Sequence, residues 1–258
     1  MIFPEYQRRV FKRNPIVDVT CQLRFPPLLR IAAELPAEMQ EVLRPQYPGF
    51  QQQHLVPFHV VVPSPGVATP PADASPAPTT LHIFLSEDES WRVTLALDSI
   101  SLSTTSYQEF PHFLERLRSP LDALGRVYSP GQFVRIGLRY RDVIRRDDLG
   151  ISDRPWSRLL RQQILGEMTE SYLESAAVRN WRLLHLRQGN VQVVLQHGLC
   201  TDPGSDVPCY VIDTDVFTEE HQDAENALVL LAGLNREAGA AFHWSVTDEL
   251  REALDTEK

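Results

Sequence analysis

Residues 133–144, FVRIGLRYRDVI, alternate along their whole length: Arg135, Gly137, Arg139, Arg141 and Val143 fall on one side, Val134, Ile136, Leu138, Tyr140 and Asp142 on the other. Period-two alternation is the mark of a strand with one buried face and one wet face. This is the strongest strand signal in the chain, and it places three arginines on the wet face. Any fold for this sequence has to be built around a sheet that accommodates them.

The flanking segments supply that sheet. Residues 16–25 alternate in the same way, with Val17, Val19, Cys21, Leu23 and Phe25 on the apolar side, and Pro26-Pro27 ends the run. A short helix is expected near residues 37–43 and a strand over 54–62, followed by a Pro/Ala-rich loop at 63–80 that cannot form a packed element. Strands follow at 81–85, 91–97 and 100–104. Residues 109–127 then show the 3, 4, 7 spacing of an amphipathic helix, with Pro111 in its first turn and Pro120 at an expected kink. Beyond the central strand the pattern restarts: a helix at 156–167, strands at 176–186, 190–197 and 209–217, a helix at 223–238, a short strand at 242–246 and a closing turn or helix at 248–254.

The restart suggests an α+β fold made by tandem duplication of a β-α-β-β-β-α unit, with a largely antiparallel sheet and the long helices packed on one face. Residues 1–130 would be the first repeat, containing the flexible loop 63–80, and residues 131–258 the second, the two forming one integrated unit. Leu23-Arg24-Phe25 and Leu138-Arg139-Tyr140 open the two repeats. Small-residue turns, Ser129-Pro130-Gly131 and Gly239-Ala240-Ala241, close their long helices.

Composition narrows the setting. No stretch approaches the roughly 20 apolar residues of a membrane span, and the basic N-terminus, with Arg8, Arg9, Lys12 and Arg13, is followed by no apolar signal region. Cys21, Cys200 and Cys209 are an odd, widely spaced set, read as free thiols in a reducing cytoplasm. The net charge of −9 is unevenly spread: −4 over residues 1–115, +6 over 116–187 and −11 over 188–258. Such segregation points to charge-directed contacts, either with partners or between the basic middle and the acidic end.

Motifs that carry chemistry are weak. His197, Cys200 and Cys209, with His185 or Cys21 as a fourth, have one zinc-like spacing but not the second pair that zinc sites use, so His197 reads as a core or rim histidine and no metal is expected. Carboxylates group at Asp142, Asp147 and Asp148, and at Asp213 and Asp215; the latter pair could hold Mg²⁺ but lies on an ordinary polar strand face. No glycine-rich phosphate loop, nucleophile elbow or H-E-x-x-H occurs. The reading leans away from an enzyme and expects no cofactor. The candidate partner- or phosphate-binding residues are Arg135, Arg139 and Arg141, whose forks match carboxylate and phosphate oxygens, together with Tyr140 as a stacking ring. The competing explanation is cross-strand pairing of those arginines with acids on neighbouring strands.

Asn14-Pro15-Ile16, Val19 and Cys21-Gln22-Leu23-Arg24-Phe25 form an opening motif, NPI-x-x-V-x-CQLRF, and Arg135-Ile136-Gly137-Leu138-Arg139-Tyr140 a central one. With Tyr47-Pro48, Leu234-Asn235, Phe242, Thr247 and Leu250, they resemble a sporadically distributed bacterial family of uncharacterised proteins of this length. The resemblance implies a bacterial, cytoplasmic protein of patchy occurrence, hence a conflict, defence or mobile-element setting, and carries over no catalytic residue. The functional expectation is a non-catalytic binding or adaptor protein with a protein partner and no membrane. The alternative is a nucleic-acid or nucleotide binding or processing protein that uses the arginine strand. A small-molecule sensor with a cavity between sheet and helices is a third reading.

Overall fold

The computed structural model describes residues 1–7, 9–55, 79–201 and 207–256. Its strands are β1 (Ile16–Arg24), β2 (Gly49–Leu55), β3 (Thr79–Leu85), β4 (Trp91–Ala96), β5 (Ser99–Thr104), β6 (Arg135–Arg145), β7 (Arg182–Gln188), β8 (Val191–Thr201) and β9 (Pro208–Thr218). The helices are α1 (Leu29–Ala33), α2 (Ala37–Leu43), α3 (Phe110–Val127), α4 (Arg146–Leu149), α5 (Trp156–Leu159), α6 (Gln162–Leu165), α7 (Ser171–Ala176), α8 (Ala224–Ser245) and α9 (Asp248–Asp255), with a 3₁₀ turn at Gly166–Thr169. The fold is α+β. All the described strands join one nine-stranded sheet in the order β2-β3-β4-β5-β1-β6-β9-β8-β7, and every adjacent pair is antiparallel.

The sheet is divided by parity, as alternation requires. Val19, Cys21 and Leu23 of β1 lie beside Tyr140, Leu138 and Ile136 of β6, and all of them are buried in one apolar core with Val93, Leu95, Ile100, Leu102, Ile212 and Val216. To this core α3 contributes Phe113, Leu117, Leu121 and Leu124, and α8 contributes Ala227, Leu231, Leu234 and Ala238. The other parity carries Asp18, Thr20 and Gln22 of β1, Ser101 and Ser103 of β5, and the β6 arginines. Small polar and charged side chains at alternate positions keep this second face hydrated.

Four expected features turn out differently. The run at 242–246 is not a strand: α8 continues to Ser245, and only an isolated bridge between Leu160 and Val246 remains. Gly239, Ala240 and Ala241, read as a turn, are helical, because alanines propagate a helix and the glycine leaves room for the Tyr6 hydroxyl, with which a Cβ would collide. The helix expected over 156–167 is broken into α5, α6 and the 3₁₀ turn. Its second strand also starts earlier than expected, at Gly49, and residues 56–62 and the loop through residue 78 lie outside the described residues. Pro120 is tolerated inside α3, where it is buried.

The N-terminal arm, residues 1–15, is tied to the end of the chain. Glu237 of α8, itself buried, accepts hydrogen bonds from the backbone N–H groups of Ile2 (2.7 Å) and Phe3 (2.9 Å). Tyr6 stacks on His243 with ring centroids 4.3 Å apart, and the Arg13 amide donates to the carbonyl of Leu254. The arm thus crosses α8 and α9 before entering β1.

Candidate functional site

On the wet face of β6 the arginines meet the acids of β9. Asp213 lies opposite Arg141, and Asp215 opposite Arg139. The ion pairs run diagonally: Arg139 donates from Nε (2.7 Å) and Nη2 (2.5 Å) to the two carboxylate oxygens of Asp213. This fork-on-carboxylate geometry holds the guanidinium charged, and its pKa is raised first by those hydrogen bonds. Asp213 is almost fully covered, with 7% of its side chain exposed.

Arg135 reaches farther. Its guanidinium lies over Gly137, where a Cβ would come within 2.7 Å of Nη1, and over the ring of Phe217 at 4.2 Å, with Asp215 at 2.9 Å and Gln22 at 3.4 Å. Glycine at 137 therefore provides the trough in which Arg135 lies. Burial raises the Asp215 carboxyl pKa, with Arg135 opposing the shift, and Asp18 is raised by burial likewise, against Thr20, Arg139 and Arg141. Arg141 is exposed and, among the described residues, makes no hydrogen bond or ion pair. Tyr140 is not with the arginines. It points to the core face, where its hydroxyl donates to Asn235 Oδ1 at 2.9 Å, so no single ligand can touch its ring and the guanidiniums together.

The histidine–cysteine set does not converge. His197 faces the core, 4% exposed, and bonds the Tyr210 hydroxyl at 2.9 Å; burial, reinforced by Arg182, lowers its pKa to about 4. Cys200 and Cys209 face each other across β8 and β9 on the opposite face, with sulfurs 3.3 Å apart and no disulfide between them. Among the described residues no group of three or more histidines, cysteines or carboxylates could hold a metal ion.

A cleft opens beneath β6, on the core side, and was not found by motif reading. It has a volume of about 100 Å³, and its walls come from the N-terminal arm (Tyr6, Phe11), the loop before α3 (Tyr107, Glu109), β6 and the end of α8 (Phe242, His243). Asp142 faces into it. This residue is 4% exposed and no donor among the described residues reaches its carboxyl. Burial pushes its pKa up to about 8, with a further push from the Asp213 carboxylate behind it. His243 at the rim is held neutral by burial, its pKa lowered to about 4, with Arg251 and Arg9 adding to the effect. A perturbed acid in a concave, aromatic-lined site is the physical description of a functional centre. The signal in the sequence was a carboxylate on the apolar parity of a strand.

The third feature is an edge. Among the described residues β7 ends the sheet, paired only to β8; it presents Leu183 and Leu184 at 62% and 41% exposure, with Trp181 just before it at 47%. Tyr172, Leu173 and Val178, just upstream, are exposed as well. The segment enters the sheet by crossing close over Gly198, where a Cβ would collide with the Asn180 carbonyl. Arg179 and Arg187 flank the apolar residues and are exposed, while Arg182 pairs with Glu167.

No protein-family model matches this sequence, and no curated protein matches it. Among the described residues no helix is long and apolar enough to cross a membrane.

Proposed function

We propose that the chain is a non-catalytic binding or adaptor protein that takes an extended, acidic segment of a partner polypeptide as an added strand on β7. The observation that carries this reading is the β7 edge: a strand with one side unpaired among the described residues and a run of exposed apolar residues is the usual substrate for strand addition. Main-chain bonding supplies the attachment, and Leu183, Leu184 and Trp181 supply apolar contacts. Arg179 and Arg187 select for acidic side chains, since no carboxylate lies within residues 176–190. Arg139 and Arg141 share the wet face of the sheet about 14 Å away, at three strand spacings, within reach of a partner that extends across it.

The resemblance noted above supports a bacterial, cytoplasmic protein in a conflict, defence or mobile-element setting. Native mass spectrometry on protein purified from its own host, followed by binding of the recovered partner to Leu183→Glu and Arg187→Glu, tests the reading. The expected result is a stoichiometric polypeptide that both substitutions weaken at least tenfold, roughly 1.4 kcal/mol. A nuclease-sensitive mass whose affinity falls steeply with salt would replace it with the nucleic-acid alternative. A homodimer broken by the same substitutions would assign the edge to self-pairing instead.

The same proposal includes an ancestral duplication with the long helices on one sheet face. It is supported by the parallel plans of the two halves: β1 and β6 each open a half, receive the last strand of that half (β5, β9) along one edge, and pair with each other. α3 and α8 close the halves and contribute to the same core. An experimental structure in which residues 16–127 superpose on 135–245, strand for strand, is the expected outcome; a different strand match ends the idea.

A further inference from the structure

Among the described residues, buried carboxylates have partners, with one exception. Asp213 takes a bidentate arginine, and Glu237 takes two backbone N–H groups. Asp142, equally buried, takes no hydrogen bond or ion pair from any described residue, although the chain carries 23 arginines. A buried acid with no counter-ion resists ionisation, so its place in a cleft calls for a partner from outside.

We propose that the cleft between β6, α8 and the N-terminal arm binds a small organic cation, a primary alkylammonium group, with Asp142 as its counter-ion. The aromatic walls favour a cation: Tyr6, Phe11, Tyr107 and Phe242 line the space, and ammonium groups are attracted to aromatic rings. The charges around the cleft agree. Glu109 adds a negative group at the mouth, His243 is neutral at pH 7, and the Arg9 guanidinium is drawn 3.5 Å from Asp255 on α9. Size is restrictive. At about 100 Å³ the cleft is smaller than the roughly 150 Å³ cavity that admits benzene. It suits a short alkylamine or the tip of a lysine side chain rather than a nucleotide or sugar. This site is separate from the β7 edge and does not depend on the partner reading.

Binding of a cation ionises Asp142, so a proton must leave. Among the described residues, Glu109 before α3, His243 from α8, Arg9 from the arm, Tyr107 and Tyr140 line the cleft with the carboxyl, and the Asp213 carboxylate of β9 lies behind it; the proton is released to the buffer. Isothermal titration of the full chain with butylammonium chloride, with butanol as the neutral isostere and Nα-acetyl-lysine-N-methylamide as the side-chain probe, tests this. Repeating the titration in two buffers of different ionisation heat counts the proton. We expect butylammonium to bind with release approaching one proton below pH 8, its affinity rising up to tenfold per pH unit from pH 6 to 8. Butanol should show no binding, and Asp142→Asn should abolish the ammonium signal while keeping the wild-type circular dichroism spectrum. Stronger binding of the lysine derivative than of butylammonium would assign the source to a polypeptide side chain; the reverse would assign it to a free amine. Equal binding of butanol, retained binding in Asp142→Asn, or no binding of either cation at millimolar concentration overturns the proposal.

Discussion

The two faces of β6 treat charge in opposite ways. On the wet face, Arg135 and Arg139 carry formal charges that their neighbours neutralise: Asp215, Asp213 and the Phe217 ring lie where the guanidiniums need them. Three residues beyond Arg139 on the same strand, Asp142 on the core face carries an acid that no described residue neutralises. Charge in the first case is satisfied in place and stabilises the sheet; in the second it is left uncompensated inside a cleft. The first pattern is what structural ion networks look like, and the second is what sites reserved for ligands look like.

The largest test of this difference is the pH dependence of stability. Asp142 has a folded pKa near 8, above the unfolded carboxylate value, so the folded state holds its proton longer than the unfolded state does. Its contribution is fully present below the unfolded pKa, near 4, and is lost as pH rises through the folded one. Over that whole span the loss is on the order of 5 kcal/mol, of which about 2 kcal/mol falls between pH 6.5 and 8. His197 and His243 work in the other direction. Their folded pKa values near 4 lie below the unfolded value of 6.5, so stability is lost as pH falls through that window. With respect to these three groups stability should peak near pH 6.5. Denaturant titrations from pH 5 to 9 on wild type and Asp142→Asn check it: the alkaline fall should vanish in the variant and the acid fall should stay. An alkaline fall unchanged by the substitution would remove Asp142 from the argument.

Next in size is the wet face itself. Arg139→Ala strands the covered Asp213 carboxylate and should cost about 1–3 kcal/mol. Removing both partners in Arg139→Ala/Asp213→Ala should restore part of that loss, because no buried charge is then left alone. A double variant less stable than Arg139→Ala by the full cost of the second change would mean that the pair is not coupled. Gly137→Ala tests the trough: the new methyl displaces the Arg135 guanidinium from Phe217 and Asp215, at an expected cost of about 1 kcal/mol, readable as a shift in the urea midpoint.

How legible all this was in the sequence depends on whether the deciding contacts are local. Alternation in β1 and β6 gave the sheet, its parity and the placement of Arg135, Arg139 and Arg141 on one wet face, because period two is a property of each strand alone. α2 and α3 were readable from spacing for the same reason. The end of α8 was not: Gly239-Ala240-Ala241 looks like a turn until Tyr6, more than 200 residues earlier, is seen packed over the glycine. The diagonal pairing of Arg139 with Asp213 rather than Asp215 depends on side-chain reach across β9, which no spacing rule encodes. Asp142 stood in view as a carboxylate on the apolar parity, yet its meaning came only with the arm and α8, which close the cleft around it. Exposure at β7 was hidden because the strand expected over 176–186 does not show from its own residues that it lies last among the described strands of the sheet.

The smallest predicted effect decides most sharply between structural and functional charge. Arg141 sits on the same face and strand as Arg135 and Arg139, but it is exposed and makes no ion pair among the described residues, so the fold does not draw on its charge. Its nearby acid, Asp18, interacts with it only through space. Arg141→Ala should therefore leave stability within about 0.5 kcal/mol of wild type, while Arg139→Ala does not. If Arg141 belongs to a contact surface, the substitution should weaken partner binding without moving the urea midpoint. That separation is unavailable at Arg135 and Arg139, where binding and folding change together. A midpoint shift as large as that of Arg139→Ala would place Arg141 inside the structural network, and the arginine strand would then be a stabilising element along its whole length.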